Sequence, residues 1–482
     1  MRAWRVAFLL LASCSPTAVA PDAALSPQDA SSVDVGMDSG TDAGTDADPL
    51  AIRDLVVTPN PESVLSCIVT WTTDRPASSI VDFGEGTALA WRVHDETLVT
   101  AHRLVVIGMH ASQPYRLRAR SVAGADMADA ESTFTSGSIP GSIPVVQLDV
   151  PAVAGLEATW TLFGVQVLGM VQTTAVMVDR SGRIVWYRIH DQGRDPSPVT
   201  LVHGGTRVLL GVGGTSFSAI EVDLEGVETW RGPVSPATRP EGLIHHEYRQ
   251  LANGHYAILR FTERAGIFGD ILEEMAPDGS SIWQWNVFDA LTPGTSSDWT
   301  HGNALDLDGM PGRALYSAPA LDTIFAIDRA TGAIVWRLGH DGSFAPDPDV
   351  ADPWFLFEHD PVVLSNGHLL VYDNGRPGIR EATRVTEYAL DEGAMQSRVI
   401  WRYPPAGVSD LWYAPALGGA ERLPSGNTSI TVGSIDTVTP NRIFEVTPEG
   451  ETLWQIQILP LGVAPSRVFR SQQIAPLIDP IP

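Results

Sequence analysis

The sequence contains no lysine, because all 31 of its basic residues are arginine. A Schiff-base mechanism and a phosphate-binding P-loop both need a lysine amine, so both are excluded. Cysteine is almost absent as well, with only Cys14 and Cys67. Two thiols cannot build a disulfide scaffold or a thiolate zinc site. No apolar run after the amino terminus approaches the ~18 residues of a membrane-spanning helix.

Positive charge is scarce overall, since 57 acidic residues against 31 basic ones give a formal net charge of −26. That balance argues against nucleic acid and against an anionic membrane surface as partners. A hydrophobic content of 44% is typical of a globular protein. The 482 residues are too many for one ordinary core, so we expect one large domain and smaller pieces.

The first 14 residues have the features of a bacterial export signal. Arg2 and Arg5 precede an apolar run at residues 6–11 that is too short to span a membrane. The ending Leu-Ala-Ser-Cys at residues 11–14 resembles a lipobox, which implies cleavage before Cys14 and lipidation of its thiol. The alternative is a plain secretory signal with a chance cysteine. We therefore expect a protein of the cell envelope, on the outer membrane or the periplasmic side, that contacts a membrane only through a lipid anchor.

Two different segments follow the signal. Residues 15–49 are mostly Asp, Ser, Thr, Ala, Gly and Pro, a composition that predicts a disordered spacer. Residues 50–138 contain short alternating strands separated by turn residues, which predicts a β-sandwich. The surroundings of Trp71 and Tyr115 resemble a fibronectin type III-like domain. That resemblance implies a core position for Trp71 and a corner position for Tyr115.

Residues 150–482 contain an internal repeat in which a turn is followed by a tryptophan. The repeated tryptophans are 44 to 65 residues apart, about the size of a four-stranded propeller blade. Within one unit, Asn253-Gly254 and Pro277-Asp278-Gly279 are typical hairpin turns. Six such units predict an all-β fold, a six-bladed β-propeller, in which the tryptophans pack blade against blade. They are Trp186, Trp230, Trp283, Trp336, Trp401 and Trp454.

Three of the twelve histidines recur at one position of this repeat. His246 and His359 each lie five residues before a leucine that leads into an Asn-Gly turn, and His301 occupies the matching place in the unit between them. Equivalent positions in successive blades point the same way relative to the central axis. We therefore expect the three imidazoles at one end of the central channel, where three in register favour a functional site over hydrogen bonding within each blade.

Such a cluster supports two kinds of chemistry. Imidazoles suit zinc or copper, and the adjacent Glu247 and Asp360 could complete a ligand set. Alternatively, one imidazole forms a covalent adduct while another moves protons near neutral pH. The residues by themselves leave both possibilities open.

Several ordered blocks between residues 150 and 480 resemble bacterial arylsulfotransferases. The blocks are His-His-Glu at 245–247, Asp-Trp-Thr-His-Gly-Asn at 298–303, Ile-Asp-Arg-Ala-Thr-Gly-Ala-Ile-Val-Trp-Arg-Leu-Gly at 327–339, Glu-His-Asp at 358–360, Asp-Asn-Gly at 373–375, Thr-Arg-Val-Thr-Glu-Tyr at 383–388, and Arg470. The resemblance implies a β-propeller that transfers a sulfuryl group from a phenolic sulfate ester to a phenol acceptor. It also implies that neither a nucleotide sulfate donor nor another cofactor is needed.

The resemblance implies roles for individual residues too. The histidine of the Glu-His-Asp block is the family's nucleophile, which corresponds to His359 and implies a sulfohistidine intermediate. His301 and His246 would be the accompanying imidazoles, one of which protonates the leaving phenolate and then deprotonates the acceptor. Asn303 and Arg384 are expected to bind substrate, and no metal is implied.

One position departs from the family pattern. Pro319 stands where the family carries an arginine that binds the sulfuryl oxygens, and loss of such a donor typically costs ~100-fold or more in rate. Arg376, Arg380 or Arg384, from the blade of His359, could replace it.

Two further hypotheses remain beside the transferase. The first is a weakly active or inactive propeller that binds aromatic sulfates or glycans at the cell surface, which the proline at position 319 favours. The second is a metal-dependent hydrolase built on the histidine cluster.

Overall fold

The computed structural model describes residues 48–191, 198–213, 216–236, 242–405, 412–433 and 441–481. The predicted export signal, the lipidation site Cys14 and all but the last two residues of the predicted spacer lie outside these ranges. No helix within them is long and apolar enough to cross a membrane. The expected all-β class is confirmed, since nearly all regular structure is strand. Helical structure in the described ranges is confined to the single turn α1 (Val287–Ala290) and two short 3-10 turns, His203–Gly205 and Pro319–Leu321.

Five strands near the amino terminus form one antiparallel sheet. They are β1 (Ile52–Pro59), β2 (Cys67–Glu85), β3 (Trp91–Val106), β4 (Pro114–Ala123) and β5 (Asp126–Thr135). Strand β2 pairs with β1 along its first half and with β4 along its second half. Alternation along β2 buries Trp71, whose indole donates to Ser121 Oγ at 2.8 Å. Tyr115 is also buried, and its hydroxyl accepts the backbone N–H of His110 at 2.7 Å.

Most of the remaining strands in the described ranges form six further antiparallel sheets, numbered here in chain order. After β6 (Val146–Val150), sheet 1 contains β7 (Trp160–Val167), β8 (Thr173–Val178) and β9 (Ile184–His190). Sheet 2 contains β10 (Val199–Val202), β11 (Arg207–Gly213), β12 (Ser216–Asp223), β13 (Glu228–Arg231) and the short β14 (Ser235–Pro236). Sheet 3 contains β15 (Ile244–Gln250), β16 (Tyr256–Arg264), β17 (Ile267–Met275) and β18 (Ser281–Asn286).

The later sheets follow the same order. Sheet 4 contains β19 (Ala304–Asp306), β20 (Arg313–Ala318), β21 (Thr323–Asp328) and β22 (Ile334–Gly339). Sheet 5 contains β23 (His359–Val363), β24 (Leu369–Asp373), β25 (Arg384–Asp391) and β26 (Gln396–Tyr403). Sheet 6 contains β27 (Gly419–Arg422), β28 (Thr428–Val432), β29 (Asn441–Val446) and β30 (Thr452–Ile458), with β6 added at its edge.

The carboxyl-terminal strands return to the beginning of the chain. These are β31 (Ser466–Ile474), which pairs with β7 and gives sheet 1 its fourth strand, and β32 (Asp479–Pro480), which pairs with β3. Asn253-Gly254 forms the turn between β15 and β16, where Gly254 has φ +82°, a region that favours glycine.

The repeated tryptophans connect each sheet to the next. Every one lies in the fourth strand of its sheet, and its indole N–H donates to the turn between the third and fourth strands of the following sheet. From sheet 6 the bond returns to sheet 1. The bonds are Trp186 to Leu224 O (2.9 Å), Trp230 to Pro277 O (2.9 Å), Trp283 to Arg329 O (2.9 Å), Trp336 to Glu392 Oε1 (3.0 Å), Trp401 to Pro448 O (2.7 Å) and Trp454 to Arg180 O (2.9 Å).

Candidate functional site

His246, His301 and His359 lie together at the beginnings of the first strands of sheets 3, 4 and 5. The rings of His246 and His301 are in edge contact, with centroids 4.9 Å apart. Two phenylalanines connect His359 to this pair. The Phe469 ring lies 6.0 Å from that of His246 and 6.3 Å from that of His359. The Phe357 ring lies 6.4 Å from that of His301 and 6.0 Å from that of His359.

Residues with a left-handed backbone conformation interrupt the strand pairing at this site. His246, His301 and Asp360 have φ values of +52°, +49° and +48°. The register shifts between Ile244 and Tyr248 and again between His359 and Val362. Such a conformation costs a non-glycine residue about 1–3 kcal/mol, and a bulge re-aims the side chains beside it. These interruptions turn the imidazoles toward one another.

His359 is held in one tautomer. Its Nδ1 lies 2.7 Å from Asn374 Oδ1, and the Asn374 amide nitrogen donates to the carbonyls of Ala414 and Leu417, both at 2.8 Å. Because those two bonds orient the amide, Nδ1 of His359 carries the proton and Nε2 keeps a lone pair. That lone pair accepts the Leu417 N–H at 3.3 Å. Burial lowers the pKa of His359 to about 3, so the ring is neutral at neutral pH.

His301 has the opposite electrostatic character. Its Nδ1 lies 2.5 Å from Asp298 Oδ2, and about a third of its side chain is exposed. Burial by itself lowers the pKa of His301, but the ion pair with Asp298 outweighs this and raises the pKa above its usual value. His301 is therefore the member of the cluster that most readily carries a second proton.

His246 remains neutral. Desolvation lowers the pKa of His246 well below its usual value, and His245, His301 and His359 act in the same direction. Its Nδ1 lies 2.9 Å from Nδ1 of His245, the preceding residue.

Asn303 is buried between sheets 4 and 5. Its amide nitrogen donates to the carbonyl of Glu358 at 2.7 Å, directly before His359. Its Oδ1 has no hydrogen-bond partner among the described residues. Burial raises the pKa of the neighbouring Glu358 carboxyl to about 8, and the charges of Asp322 and Asp373 add to this. Asn303 thus ties sheet 4 to the segment that carries His359.

Arg470, from β31, connects the strands behind the histidines. Its Nη1 lies 2.9 Å from Asp360 Oδ1 and 3.1 Å from Glu247 Oε2, and its Nη2 donates to the carbonyl of Asn303 at 3.1 Å. A cavity of about 710 Å³ is lined partly by Arg470, Arg249 and the same two carboxylates. His246, His301 and His359 are not among the residues that line this cavity.

Three arginines could supply the positive charge that is missing because position 319 is a proline, and their contacts differ. Arg380 contacts both Asp373 oxygens at 2.7 Å, and Arg384 contacts Asp373 at 2.9 Å and Asp352 at 3.0 Å. None of the described contacts of Arg384 is with the three histidines.

Arg376 lies nearest to the departure from the family pattern. Its Nη2 donates to the Pro319 carbonyl at 3.2 Å and to Asp322 at 2.7 Å. Its guanidinium carbon lies 5.5 Å from the centroid of the Phe357 ring, which stacks on His301. The Nε of Arg376 is buried and has no partner among the described residues.

No cluster of three or more histidine, cysteine, aspartate or glutamate side chains in the described ranges is arranged to hold a metal ion. Glu247 and Asp360, which could have completed a metal site, are instead bonded to Arg470. The arrangement offers a neutral imidazole with a lone pair beside one that binds a proton readily.

Sequence reasoning did not single out Asn374, Asp298 or Phe469 as site residues. The signal for two of them was present, because Asp298 and Asn374 belong to the blocks at 298–303 and 373–375. Phe469 carried no such signal, since its contacts depend on the return of β31 to sheet 1.

The arylsulfotransferase (ASST) family matches residues 165–458. No curated protein matches significantly. Among solved structures, a protein of unknown function from Bacteroides caccae has a TM-score of 0.45 and 14% identity, covering 66% of this chain and 99% of its own. A candidate 6-phosphogluconolactonase from Bacteroides fragilis has a TM-score of 0.37 and 12% identity, covering 83% and 98%.

Proposed function

The chain belongs to the arylsulfotransferase family, and we propose that it transfers a sulfuryl group from a phenolic sulfate ester to a phenol. The proposal rests on one observation. Within the matched region, the neutral His359, with its lone pair on Nε2, shares a site with His301, which favours the protonated state. Nucleophilic displacement at sulfur needs a nitrogen lone pair and an acid for the leaving oxygen, and the donor ester would replace the 3.3 Å contact of the Leu417 N–H with Nε2.

In the first half-reaction, Nε2 of His359 attacks the sulfur of the donor ester. The N–S bond forms as the S–O bond to the aryl group breaks, and the leaving phenolate takes a proton from His301. The products are a sulfohistidine, a neutral His301 and a free phenol.

The second half-reaction reverses these roles. The acceptor phenol gives its proton to His301, its oxygen attacks sulfur, and the N–S bond breaks. The new sulfate ester leaves His359 neutral and His301 protonated, so the cycle closes without a further reactant.

Arg376 is the cation that we assign to the sulfuryl oxygens. Two contacts support this assignment. Arg376 donates a hydrogen bond to the Pro319 carbonyl, in the segment where the family has its arginine, and its guanidinium lies over the Phe357 ring. Arg384, which the resemblance predicts to bind substrate, has donors that are occupied by Asp373, Asp352 and the Trp354 carbonyl.

We also propose that the six sheets are the blades of a six-bladed β-propeller. Support comes from the indole bonds that run from sheet to sheet and return from Trp454 to sheet 1. The antiparallel pairing of β31 with β7 also joins the carboxyl-terminal end of the repeat to its first sheet. For the amino-terminal sheet we keep the fibronectin type III-like assignment, on the basis of the buried Trp71 and the bonded hydroxyl of Tyr115.

Incubation of the purified protein with 4-nitrophenyl sulfate and phenol tests the activity. We expect release of nitrophenolate together with formation of phenyl sulfate, and loss of both in His359→Ala. His368→Ala is the matched control, because His368 lies in the same sheet but pairs with Glu387 at a hairpin. No release by the wild type at high enzyme concentration would refute the proposal. An active His359→Ala variant would refute the nucleophile.

A binding protein without turnover is the second candidate, and the proline at position 319 favours it. Isothermal titration with an aryl sulfate would then show binding while no nitrophenolate appears. In that case Pro319→Arg should create measurable turnover, whereas an already active enzyme should gain little because Arg376 occupies the region.

We propose an envelope location through a lipid on Cys14, on the basis of the lipobox-like residues 11–14. Cys14→Ser should move the protein from the membrane fraction to the soluble fraction. Retention of that variant in the membrane would contradict the anchor.

A further inference from the structure

Asp322 connects Arg376, the cation assigned to the sulfuryl oxygens, with the segment that leads to His359. It follows the 3-10 turn Pro319–Leu321 in sheet 4, and its backbone N–H donates to the Pro319 carbonyl at 3.1 Å. Its φ is +49°, a left-handed conformation that aspartate tolerates better than most side chains do. The Asp322 carboxylate therefore lies in the segment where the arginine of the family pattern is a proline.

One oxygen of this carboxylate accepts two hydrogen bonds. Asp322 Oδ1 accepts the backbone N–H of Phe357 at 2.7 Å and Nη2 of Arg376, also at 2.7 Å. Phe357 stands two residues before His359, so the first bond holds the chain that leads into β23. The second bond is an ion pair between side chains that are only partly exposed, Asp322 by 23% and Arg376 by 31%, so solvent and salt screen it less than a surface pair.

The backbone around Arg376 does not by itself direct the guanidinium. The Arg376 N–H donates to the Arg380 carbonyl at 2.9 Å, and the Arg380 N–H donates back to the Arg376 carbonyl at 2.9 Å. These bonds close a turn but leave the rotamers of a long side chain open. The direction is set at sheet 4, where Nη2 donates to Asp322 and, at 3.2 Å, to the Pro319 carbonyl. The bond to the carboxylate is the stronger of the two because both of its partners are charged.

Another donor of Arg376 stays available when Nη2 is held. Its Nε is buried and has no hydrogen-bond partner among the described residues. A buried N–H without an acceptor is costly, and a charged oxygen of a ligand would satisfy it. The guanidinium carbon of Arg376 and the ring of His359 lie 5.5 and 6.0 Å from the centre of the same Phe357 ring. The cation and the proposed nucleophile therefore share one aromatic neighbour.

We infer that Asp322 is the positioning residue of Arg376, holding Nη2 so that Nε is presented to a sulfuryl oxygen of the substrate. The inference rests on the proposed function, which supplies the sulfuryl group. A residue that acts only through Arg376 differs from one with a general structural role. Once Arg376 is replaced, Asp322 has nothing left to position, so a further substitution at Asp322 costs no additional activity.

A double-mutant cycle with Asp322→Asn and Arg376→Gln tests this. Asparagine also tolerates the left-handed conformation and keeps an oxygen for the Phe357 N–H, but it lacks the charge that holds Arg376. With 4-nitrophenyl sulfate and phenol, kcat/KM should fall about tenfold in Asp322→Asn and ~100-fold in Arg376→Gln, and the double variant should equal Arg376→Gln. Wild-type kcat/KM in Asp322→Asn, or losses that multiply in the double variant, would overturn the inference.

Benzenesulfonate allows the same cycle without turnover, because its sulfonyl group is attached through a carbon–sulfur bond that an imidazole does not displace. Isothermal titration should show weaker binding in both single variants, by roughly tenfold or more in Arg376→Gln, and no further weakening in the double variant. An active wild type with independent effects would overturn the inference and leave the proposed function intact. An inactive wild type with the coupled pattern would refute the proposed function and leave the Asp322 assignment standing. Absence of both turnover and binding would overturn both.

Asp352→Asn is the matched control. Asp352 also has a left-handed backbone, with φ +53°, and pairs with Arg380 and Arg384 at 3.1 and 3.0 Å. This variant should keep wild-type kcat/KM and benzenesulfonate affinity. A loss equal to that of Asp322→Asn would show a general effect of removing such a charge and would overturn the inference. If Asp322→Asn does not fold, Asp322→Gly takes its place in the cycle, since glycine adopts this backbone conformation without strain.

Discussion

Arg470 and Asp360 form a buried ion pair in which Nη1 and Oδ1 are 2.9 Å apart. The same guanidinium contacts Glu247 and the carbonyl of Asn303. These three partners lie one or two residues from His359, His246 and His301, respectively. One side chain from the last long strand therefore connects the strands that carry all three histidines.

Arg470→Gln should lower the free energy of unfolding by about 3 kcal/mol, the lower end of the range for breaking a buried ion pair, because Glu247 and Asp360 keep only their longer contacts with Arg249, at 3.6 and 4.0 Å. Urea unfolding measures this difference. Arg264→Gln is the control, since Arg264 and Asp289 are both more than half exposed, and it should cost less than about 1 kcal/mol. Equal values for the two variants would contradict the structural role of Arg470.

Asn374→Ala should free the His359 ring from its tautomer and orientation. Misplacement of a reacting group by about 1 Å typically costs ~100-fold, so we expect kcat for 4-nitrophenyl sulfate to fall by that order. Steady-state kinetics provide the measurement. Asn366→Ala removes a similar contact, with His368 at 3.2 Å in the same sheet, and should keep wild-type kcat. Full activity of Asn374→Ala would exclude tautomer control by this amide.

The sequence was sufficient for the fold class and the family. Alternating strands and regularly spaced tryptophans predicted an all-β chain, which is confirmed, and the ordered blocks predicted the arylsulfotransferase family, which the match over residues 165–458 confirms. The six-bladed arrangement and the site roles stay predictions, although His246 and His301 do come into ring contact.

Two features of the site could not be predicted from local sequence patterns. Side chains of successive strand residues normally point to opposite faces, so His245 and His246 would be expected to diverge. The bulge at His246, with φ +52°, brings their Nδ1 atoms together instead. Arg470 lies 223 residues from Glu247, and only the return of β31 to sheet 1 places the two in contact.

Arg376→Gln tests the assigned cation. Removal of a charged donor from the sulfuryl oxygens should lower kcat/KM by about 100-fold. Arg398→Gln is the control in the same sheet, because Arg398 is half exposed and pairs with Asp347 and Asp349. A value of kcat/KM for Arg376→Gln that equals that of Arg398→Gln would contradict the assignment.

Asp298→Asn should change the pH dependence. Asp298 raises the pKa of His301, and the first half-reaction needs His301 protonated, so activity should fall as the pH rises through that pKa. Without the carboxylate the pKa of His301 drops, and the alkaline limb of the kcat/KM profile should move to lower pH. Asp341→Asn, beside the exposed His340, should leave the profile unchanged. A shift toward higher pH would contradict the acid role.

His301→Gln should affect poor leaving groups more than good ones. Nitrophenolate is stabilised by its nitro group and departs with little protonation, whereas unsubstituted phenolate depends on a proton from the enzyme. The loss of kcat/KM should therefore be about tenfold or more greater for phenyl sulfate than for 4-nitrophenyl sulfate, because general acid catalysis contributes roughly 100-fold to 10,000-fold when it is fully needed. Parallel assays with the two donors and one acceptor give the ratio. Equal losses for both donors would assign His301 to substrate binding, since a binding contact does not distinguish leaving groups by their basicity.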